Sequence, residues 1–328
     1  MAKMKTYCFG IDVGGTSVKC GLFHTDGTLV EKWEIPTRTE NNGQNILPDV
    51  AETINAKLAE KNIDKADVEG VGIGIPGPIN SRGEAACAVN LYWGFTPVAQ
   101  ILGDLTGLKA QAGNDANVAA LGEAWKGAAA GAQNIIMITL GTGVGGGIII
   151  NGKILAGSHG AGGEIGHALV VRGEEEKCNC GNHGCLEVMI SEQALKNRIP
   201  EFGQIPSLSA LSEITFSDLG KAATFRDPTA LAMVKEMAWE LSIALSNLIS
   251  TVNPSLIVLG GKIPDLGEYF LNEVREDLKK TGFRRMVDNV TVRYSQLQSD
   301  SFLNGAMKYF FDIHYSFTNQ DPTNFFIG

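Results

Sequence analysis

Three cysteines, Cys178, Cys180 and Cys185, fall within eight residues, and His167 precedes them by eleven positions. Three thiolates and one imidazole make a common closed zinc set. Soft sulfur and nitrogen donors favour Zn²⁺ over Mg²⁺ or Ca²⁺. Gly181 and Gly184 let the backbone curl tightly around an ion. Four protein ligands leave no open position, so the expected ion is structural and not the catalyst. His183 lies in the same loop and is a rival ligand that spacing alone permits. The bland alternative is a surface loop of free thiols. Six cysteines in 328 residues do not make a disulfide scaffold, and such crowding in a cytosolic chain reads as metal first.

Two glycine clusters offer a different chemistry. The first is Asp12-Val13-Gly14-Gly15-Thr16-Ser17-Val18-Lys19, and the second runs from Gly141 through Thr142 and Gly143 to Gly147. Glycine lets backbone N–H groups approach an anion closely, and turn amides can form an anion-binding nest. Asp12 is suited to a hydrated Mg²⁺, and Thr16 and Thr142 to donating hydroxyls to phosphate. Each cluster alone also reads as a plain hairpin turn. Gly141, Gly143 and Gly146 match G-x-G-x-x-G only formally, because the chain continues as a strand through Ile148–Asn151 where a dinucleotide site needs a helix. No P-loop motif is present. Two glycine hairpins, one per half of the chain, are an arrangement that can clamp a triphosphate from two sides.

Carboxylates and amides complete the candidate set. Asp115, in Gly113-Asn114-Asp115-Ala116-Asn117, stands where a strand ends and a helix begins. That position fits a helix N-cap, and equally a general base at the carboxyl end of a strand. Glu164 and Glu187 flank the cysteine loop, so a metal that folds the loop would aim two acceptors at one polyhydroxylated ligand. Their alternative is ordinary surface glutamate. Asn90 offers a further amide, or is simply a turn residue.

These residues need a scaffold, and hydropathy patterning supplies one. Strands are expected at Tyr7–Ile11, Ser17–His24 and Leu29–Ile35, with a hairpin turn at Asp26-Gly27. Ile46, Val50, Ile54 and Leu58 carry a helical period over Ile46–Lys61. A buried strand at Val68–Ile75, a helix at Val98–Thr106 and a strand at Lys109–Ala112 follow. The plan then recurs: helix Asp115–Ala130, strand Ile135–Leu140, turn Gly141–Gly147, strand Ile148–Asn151 and a third strand after Gly152. Helix Thr229–Val252 stops before Pro254, ahead of strand Leu256–Leu259, helix Leu266–Lys280, strand Val290–Ser295 and a closing helix Phe302–His314. The order describes two α/β halves, each opening on a β-turn-β unit with a glycine-rich turn. There is no short-period repeat.

Composition bounds the partners. Apolar residues make up 44% and charged residues 19%, enough for a sizeable core. The net charge of −9 argues against general affinity for nucleic acid or an anionic membrane. No signal-peptide pattern and no long apolar run occur, so a cytoplasmic protein is expected. Gly is 40 of 328 residues, which needs a local explanation.

Taken together, DVGGTSVK, Gly163–His167, CNCGNHGCLE and GTGVGGG, in that family's order, resemble the ROK family of sugar kinases and repressors, within the actin-like ATPase superfamily. The resemblance covers nearly the whole chain. It implies an α/β, actin-like (ribonuclease H-like) fold of two domains with a cleft between them. The expected division is 1–115 plus a returning 302–328, and 116–301. It implies that Asp12 helps position Mg²⁺ and phosphate, that Gly14, Gly15, Thr16 and Lys19 belong to that first loop, and that Thr142 and Gly143 belong to the second. Gly260 and Gly261, in VNPSLIVLGG, would lie near the adenosine of ATP. Asn114 is similar to a sugar-binding amide and Asp115 to the catalytic base. Asn90, Glu164, His167 and Glu187 resemble sugar-hydroxyl contacts, so His167 would serve both zinc and sugar.

The expected activity is ATP-dependent phosphorylation of a hexose hydroxyl, glucose first. Alternatives are N-acetylmannosamine, fructose, mannose or allose, or a non-catalytic sugar sensor. Repressors of the family carry a DNA-binding domain ahead of the first loop, whereas eleven residues precede Asp12 here. Asn90-Leu91-Tyr92-Trp93-Gly94-Phe95 resembles a glucose-kinase pattern but places Tyr92 before Trp93. Its plain alternative is aromatic packing at a domain edge. Relatives are usually dimers or tetramers, so a homo-oligomer is expected.

Overall fold

The computed structural model describes residues 4–315 apart from Arg172, Glu174, Glu175, Gln204, Ser209, Ala210 and Ser212. Contacts divide the chain into two units. The first takes the chain up to Lys126, Ala156–Gly162 and the chain from Ser299, and the second takes Gly127–Leu155 and Gly163–Gln298.

The first unit opens with a meander of β1 (Tyr7–Val13), β2 (Ser17–His24) and β3 (Leu29–Pro36). Its Asp26-Gly27 turn needs the left-handed φ of +87° that Gly27 adopts. Helix α1 (Ile46–Glu60), β4 (Val68–Ile75), α2 (Val98–Thr106), β5 (Ala110–Asn114) and α3 (Asp115–Lys126) follow. β4 and β5 extend the sheet in parallel from β1, giving the order β3-β2-β1-β4-β5. Every residue of β4 is buried, as a central strand covered on both faces must be. α1 turns Ile46, Val50, Ile54 and Leu58 inward, the stripe the period predicts.

The second unit repeats this topology. β6 (Ile135–Leu140), β7 (Val144–Ile150) and β8 (Lys153–Ile154) form an antiparallel meander. Then come α4 (Leu186–Ile190), α5 (Glu192–Phe202), α6 (Phe216–Thr224), α7 (Pro228–Val252), β9 (Leu256–Gly261), α8 (Gly267–Thr281) and β10 (Thr291–Tyr294). β9 and β10 add in parallel, so the order is β10-β9-β6-β7-β8. α7 starts where the Asp227 carboxylate accepts the Ala230 N–H at 2.9 Å and stops at Asn253, whose φ is +51°. Two mixed sheets of one plan are the actin-like architecture. Among the described residues no helix is long and apolar enough to cross a membrane.

Helix α9 (Asp300–Tyr315) closes the chain on the first unit. β1 alternates, sending Phe9, Ile11 and Val13 into the core shared with α1 and Cys8 into the cluster with Leu303, Met307 and Phe310 of α9. Gly10 pairs with Gly21 on one side and Gly72 on the other, a row of glycines across three strands. A Cβ at Gly72 would sit 1.9 Å from the Ala306 carbonyl oxygen, and one at Gly10 would sit 2.2 Å from that of Leu303. The row thus lets a helix backbone lie directly on the sheet.

Two expectations are corrected here. Gly145, Gly146 and Gly147 are not part of a turn. They pair with Thr139, Ile138 and Met137 inside β7, and the turn is only Gly141–Gly143. A Cβ at Gly146 would collide with the Gly163 carbonyl oxygen at 2.6 Å, so close packing explains that glycine. The unit boundary also falls at Lys126 and not at Asp115, because α3 packs on α9. That crossing is tight: a Cβ at Gly305 would lie 1.5 Å from the Val118 carbonyl oxygen, and one at Gly122 would lie 2.1 Å from that of Ser301.

Gly305→Ala therefore has a decisive sign. Helix propensity alone would stabilise the variant by about 1 kcal/mol. Overpacking against backbone that cannot step aside costs about 3 kcal/mol. The expected outcome is a lower urea midpoint with an unchanged slope, and an unchanged or higher midpoint would refute the tight crossing.

Candidate active site

Asp12 and Lys19 are register partners on β1 and β2, just below the first glycine turn. Asp12 is buried, and burial lifts its carboxyl to about 6, with Lys19 opposing and Glu34 adding to the shift. The turn itself is closed by the Gly14 N–H donating to the Ser17 carbonyl at 2.9 Å. Thr37 braces it from the end of β3, its hydroxyl donating to the Gly14 carbonyl at 2.7 Å and its N–H to that of Thr16 at 3.0 Å. Neither Gly14 nor Gly15 has a positive φ. A Cβ at Gly15 would meet nothing within 4 Å, and the same holds at Gly141 in the second turn. Neither turn geometry nor internal packing requires glycine at these two positions. The backbone at both positions is open to the approach of a ligand, the property an anion-binding turn needs.

Asn114 and Asp115 sit at the junction of β5 and α3, at the carboxyl end of a parallel strand. The capping role falls to Asn114, whose Oδ1 accepts the Asn117 N–H at 3.0 Å. Its Nδ2 donates to the Gly77 carbonyl and to Asp115 Oδ1, each at 3.1 Å. Asp115 Oδ1 also accepts the Ala116 N–H at 2.7 Å. Of the two roles open to Asp115, the cap is therefore largely taken by its neighbour. Asn114 holds the half-buried Asp115 carboxylate in place.

Asn90 is exposed on the short 3₁₀ turn Val89–Leu91. Tyr92 after it takes a left-handed φ of +58° and points out, as does Phe95. Trp93 is buried and donates from Nε1 to the Gly43 carbonyl at 3.1 Å, which is the packing role.

In the second unit the sequence-predicted ligands converge. One donor atom each from His167, Cys178, Cys180 and Cys185 lies within 4.8 Å of all the others. The Cys180 and Cys185 sulfurs are 3.6 Å apart, and Cys178 Sγ is 3.5 Å from His167 Nδ1. A tetrahedron with Zn–S near 2.3 Å has S···S edges of about 3.8 Å, so the cage fits zinc. Burial pushes the Cys178 thiol up and the Cys185 thiol to about 12, while the Asn182 backbone amide draws Cys180 down. A cation is what would hold all three as thiolates. His183, the rival ligand, is exposed and outside the group.

His167 has two faces. Nδ1 points at the cage, and Nε2 lies 4.0 Å from a Glu164 carboxylate oxygen. Burial raises the Glu164 carboxyl, His167 pulls it down and Glu187 pushes it up. Glu187 Oε2 accepts the Val144 N–H at 3.0 Å, and the Cys178 thiol approaches its Oε1 at 3.9 Å. Two carboxylates and an imidazole edge thus gather beside the cage, a set suited to vicinal hydroxyls.

Thr142 is exposed at the tip of the second turn. Gly260 and Gly261 end β9. Both have internal reasons to be glycine: a Cβ at Gly260 would meet the Met137 side chain at 2.7 Å, and Gly261 combines a φ of +70° with 2.3 Å to the Leu140 carbonyl oxygen.

The chain matches the ROK family over residues 8–312. It is 38% identical over 305 residues to a glucokinase of Halalkalibacterium halodurans, covering 90% of this chain and 92% of that one. It is 32% identical over 262 residues to a xylose repressor of Caldicellulosiruptor bescii, covering 76% of this chain and 65% of the repressor. Among solved structures it is similar to a ROK family glucokinase from Streptomyces griseus in complex with glucose and AMPPNP, with a TM-score of 0.76, 31% identity, and 92% and 98% of the two chains covered.

Proposed function

This chain belongs to the ROK family, and from that premise we propose that it is an ATP-dependent sugar kinase that phosphorylates a hexose hydroxyl, with glucose as the substrate. The observation that carries the catalytic part is the division of labour at the start of α3. Asn114 caps the helix, and Asp115 presents a positioned carboxylate at the end of β5.

A sugar hydroxyl is a weak nucleophile at neutral pH. Asp115 accepts its proton as the bond to phosphorus forms, a contribution of about 10²–10⁴-fold. Glu164, His167 and Glu187 orient the remaining hydroxyls, together with Asn90 and Asn114. The amides of the Gly14–Thr16 and Gly141–Gly143 turns receive phosphate oxygens, with the Thr16 and Thr142 hydroxyls and Lys19 beside them. Gly260 and Gly261 keep the backbone low on the adenosine side. Mg²⁺, when bound, supplies positive charge to the triphosphate, and Asp12 is the residue suited to hold it through water. Zinc in the Cys/His cage would fix the loop that carries His167 and Glu187. The net charge of −9 fits a protein without general nucleic-acid or membrane affinity, and the family resemblance supports a cytoplasmic homo-oligomer, a dimer or tetramer.

Similarity to a repressor keeps one second reading, a sugar sensor without turnover. ADP release with Mg-ATP across glucose, mannose, N-acetylmannosamine, N-acetylglucosamine, fructose and allose separates the two. The expected result is turnover with glucose preferred. Preference for another hexose would change the substrate and leave the base and cage assignments standing. Binding of sugar with no turnover on any of them would favour the sensor.

A further inference from the structure

Helix α4 is a single short element, yet it touches three things at once. Cys185, its N-cap residue, is one of the four cage ligands. Glu187, in its first turn, accepts the Val144 N–H at 3.0 Å and so grips the C-terminal side of the second glycine turn. Just past its end, the Glu192 N–H donates to the Gly141 carbonyl at 2.9 Å and grips the N-terminal side of the same turn. The turn is thus held from both sides by a segment whose first residue is a metal ligand.

The hold extends further along the nucleotide side. The mostly buried Glu192 carboxylate reaches Lys262 Nζ at 2.5 Å through Oε2 and accepts the Phe216 N–H at 3.1 Å through Oε1. Lys262 directly follows Gly260-Gly261, and its own N–H donates to the Leu140 carbonyl at 2.6 Å, one residue before the turn.

We infer that the Cys/His cage governs nucleotide binding as well as sugar binding, because α4 transmits the position of Cys185 to the Gly141–Val144 turn and, through Glu192, to the Gly260–Lys262 segment. The inference rests on reading the chain as a kinase with phosphate received at that turn. Glu192 and Lys262 act in it as positioning residues, since neither is placed against the reacting atoms.

Two measurements test this, both without sugar. In the first, MgADP affinity is measured by calorimetry on zinc-loaded protein and on protein stripped by a chelator. Amide exchange is followed in both at Val144, in the gripped turn, and at Val258, in the buried strand β9. The expected result on stripping is an affinity loss of about tenfold, within the usual range for coupled sites, with faster exchange at Val144 and retained protection at Val258. Affinity unchanged to within about twofold would overturn the coupling, and so would a loss that appears only together with exchange at Val258. Zinc-loaded protein that binds no MgADP at all would instead count against the kinase reading, and Val144 exchange would still report whether α4 couples cage and turn. In the second, Glu192→Ala leaves all four cage ligands in place. It should retain its metal and its glucose affinity while binding MgADP several-fold more weakly. A variant with normal MgADP affinity and only a lower melting temperature would make Glu192 merely structural.

Discussion

Asp115→Asn is expected to lower kcat by about 10²–10⁴-fold while hexose affinity changes little. The substitution is close to isosteric. An asparagine Oδ1 can still accept the Ala116 N–H and the Asn114 amide that the carboxylate accepts at 2.7 and 3.1 Å. The helix keeps its cap, because that task belongs to Asn114. What is lost is the ability to take up a proton, so the effect should fall on the chemical step and not on binding or folding. Steady-state kinetics with glucose, beside calorimetric glucose binding to the variant, make the comparison. A variant that turns over at the parent rate would remove Asp115 from the base role. A variant that loses glucose binding to the same degree as kcat would make Asp115 chiefly a sugar ligand.

Cys180→Ser is expected to abolish stoichiometric zinc and to weaken glucose binding strongly in the same protein. Cys180 is the exposed thiol of the cage, whereas Cys178 and Cys185 are buried, so its replacement removes a ligand without opening a cavity in the core. Structural zinc contributes on the order of 10 kcal/mol to the folding of its own loop, so losing one of four ligands should release the segment. The route to the sugar side is His167, whose Nδ1 faces the cage while Nε2 faces Glu164. Without the ion nothing holds that imidazole at both ends. Metal content by elemental analysis and glucose affinity by calorimetry should fall together. Normal glucose binding in a metal-free protein would break the link between cage and substrate.

Much of the molecule is legible from local patterns. Strand β4 reads as a buried strand that ends at the Pro76-Gly77-Pro78 breaker, and it appears with the expected ends, Val68–Ile75. The Cys/His cluster is legible because its residues are close in sequence and chemically distinctive. The tertiary step there was only to choose His167 over His183. The glycines were legible as a surplus and only partly as a cause. At Gly15 and Gly141 a side chain would meet nothing, so packing does not explain these glycines. Gly72, Gly146 and Gly305 are glycine because a carbonyl from a distant element occupies the space of a side chain. Helices α4 to α6 were not anticipated although α6 carries an apolar face of Phe216, Leu219, Ala222 and Ala223, because they lie in a stretch where the cysteine cluster dominates the reading.

What the sequence determined by itself is whatever a short window encodes: the two β-turn-β openings, the period of α1, the stop of α7 before Pro254, the donor set of the cage and the glycine-rich turns. What only the tertiary structure decided is how residues far apart in the chain divide the work. Asn114 and not Asp115 caps α3, because a cap is settled by which oxygen reaches the third amide once the side chains are packed. α3 joins the first unit, because Gly122 and Gly305 let it meet α9 at backbone distance, a contact between positions 183 residues apart that no window spans. α4 ties the cysteine loop to the Gly141–Gly143 turn for the same reason: the Val144 N–H and the Gly141 carbonyl acquire their partners only when the segment after Cys185 folds back over β6 and β7.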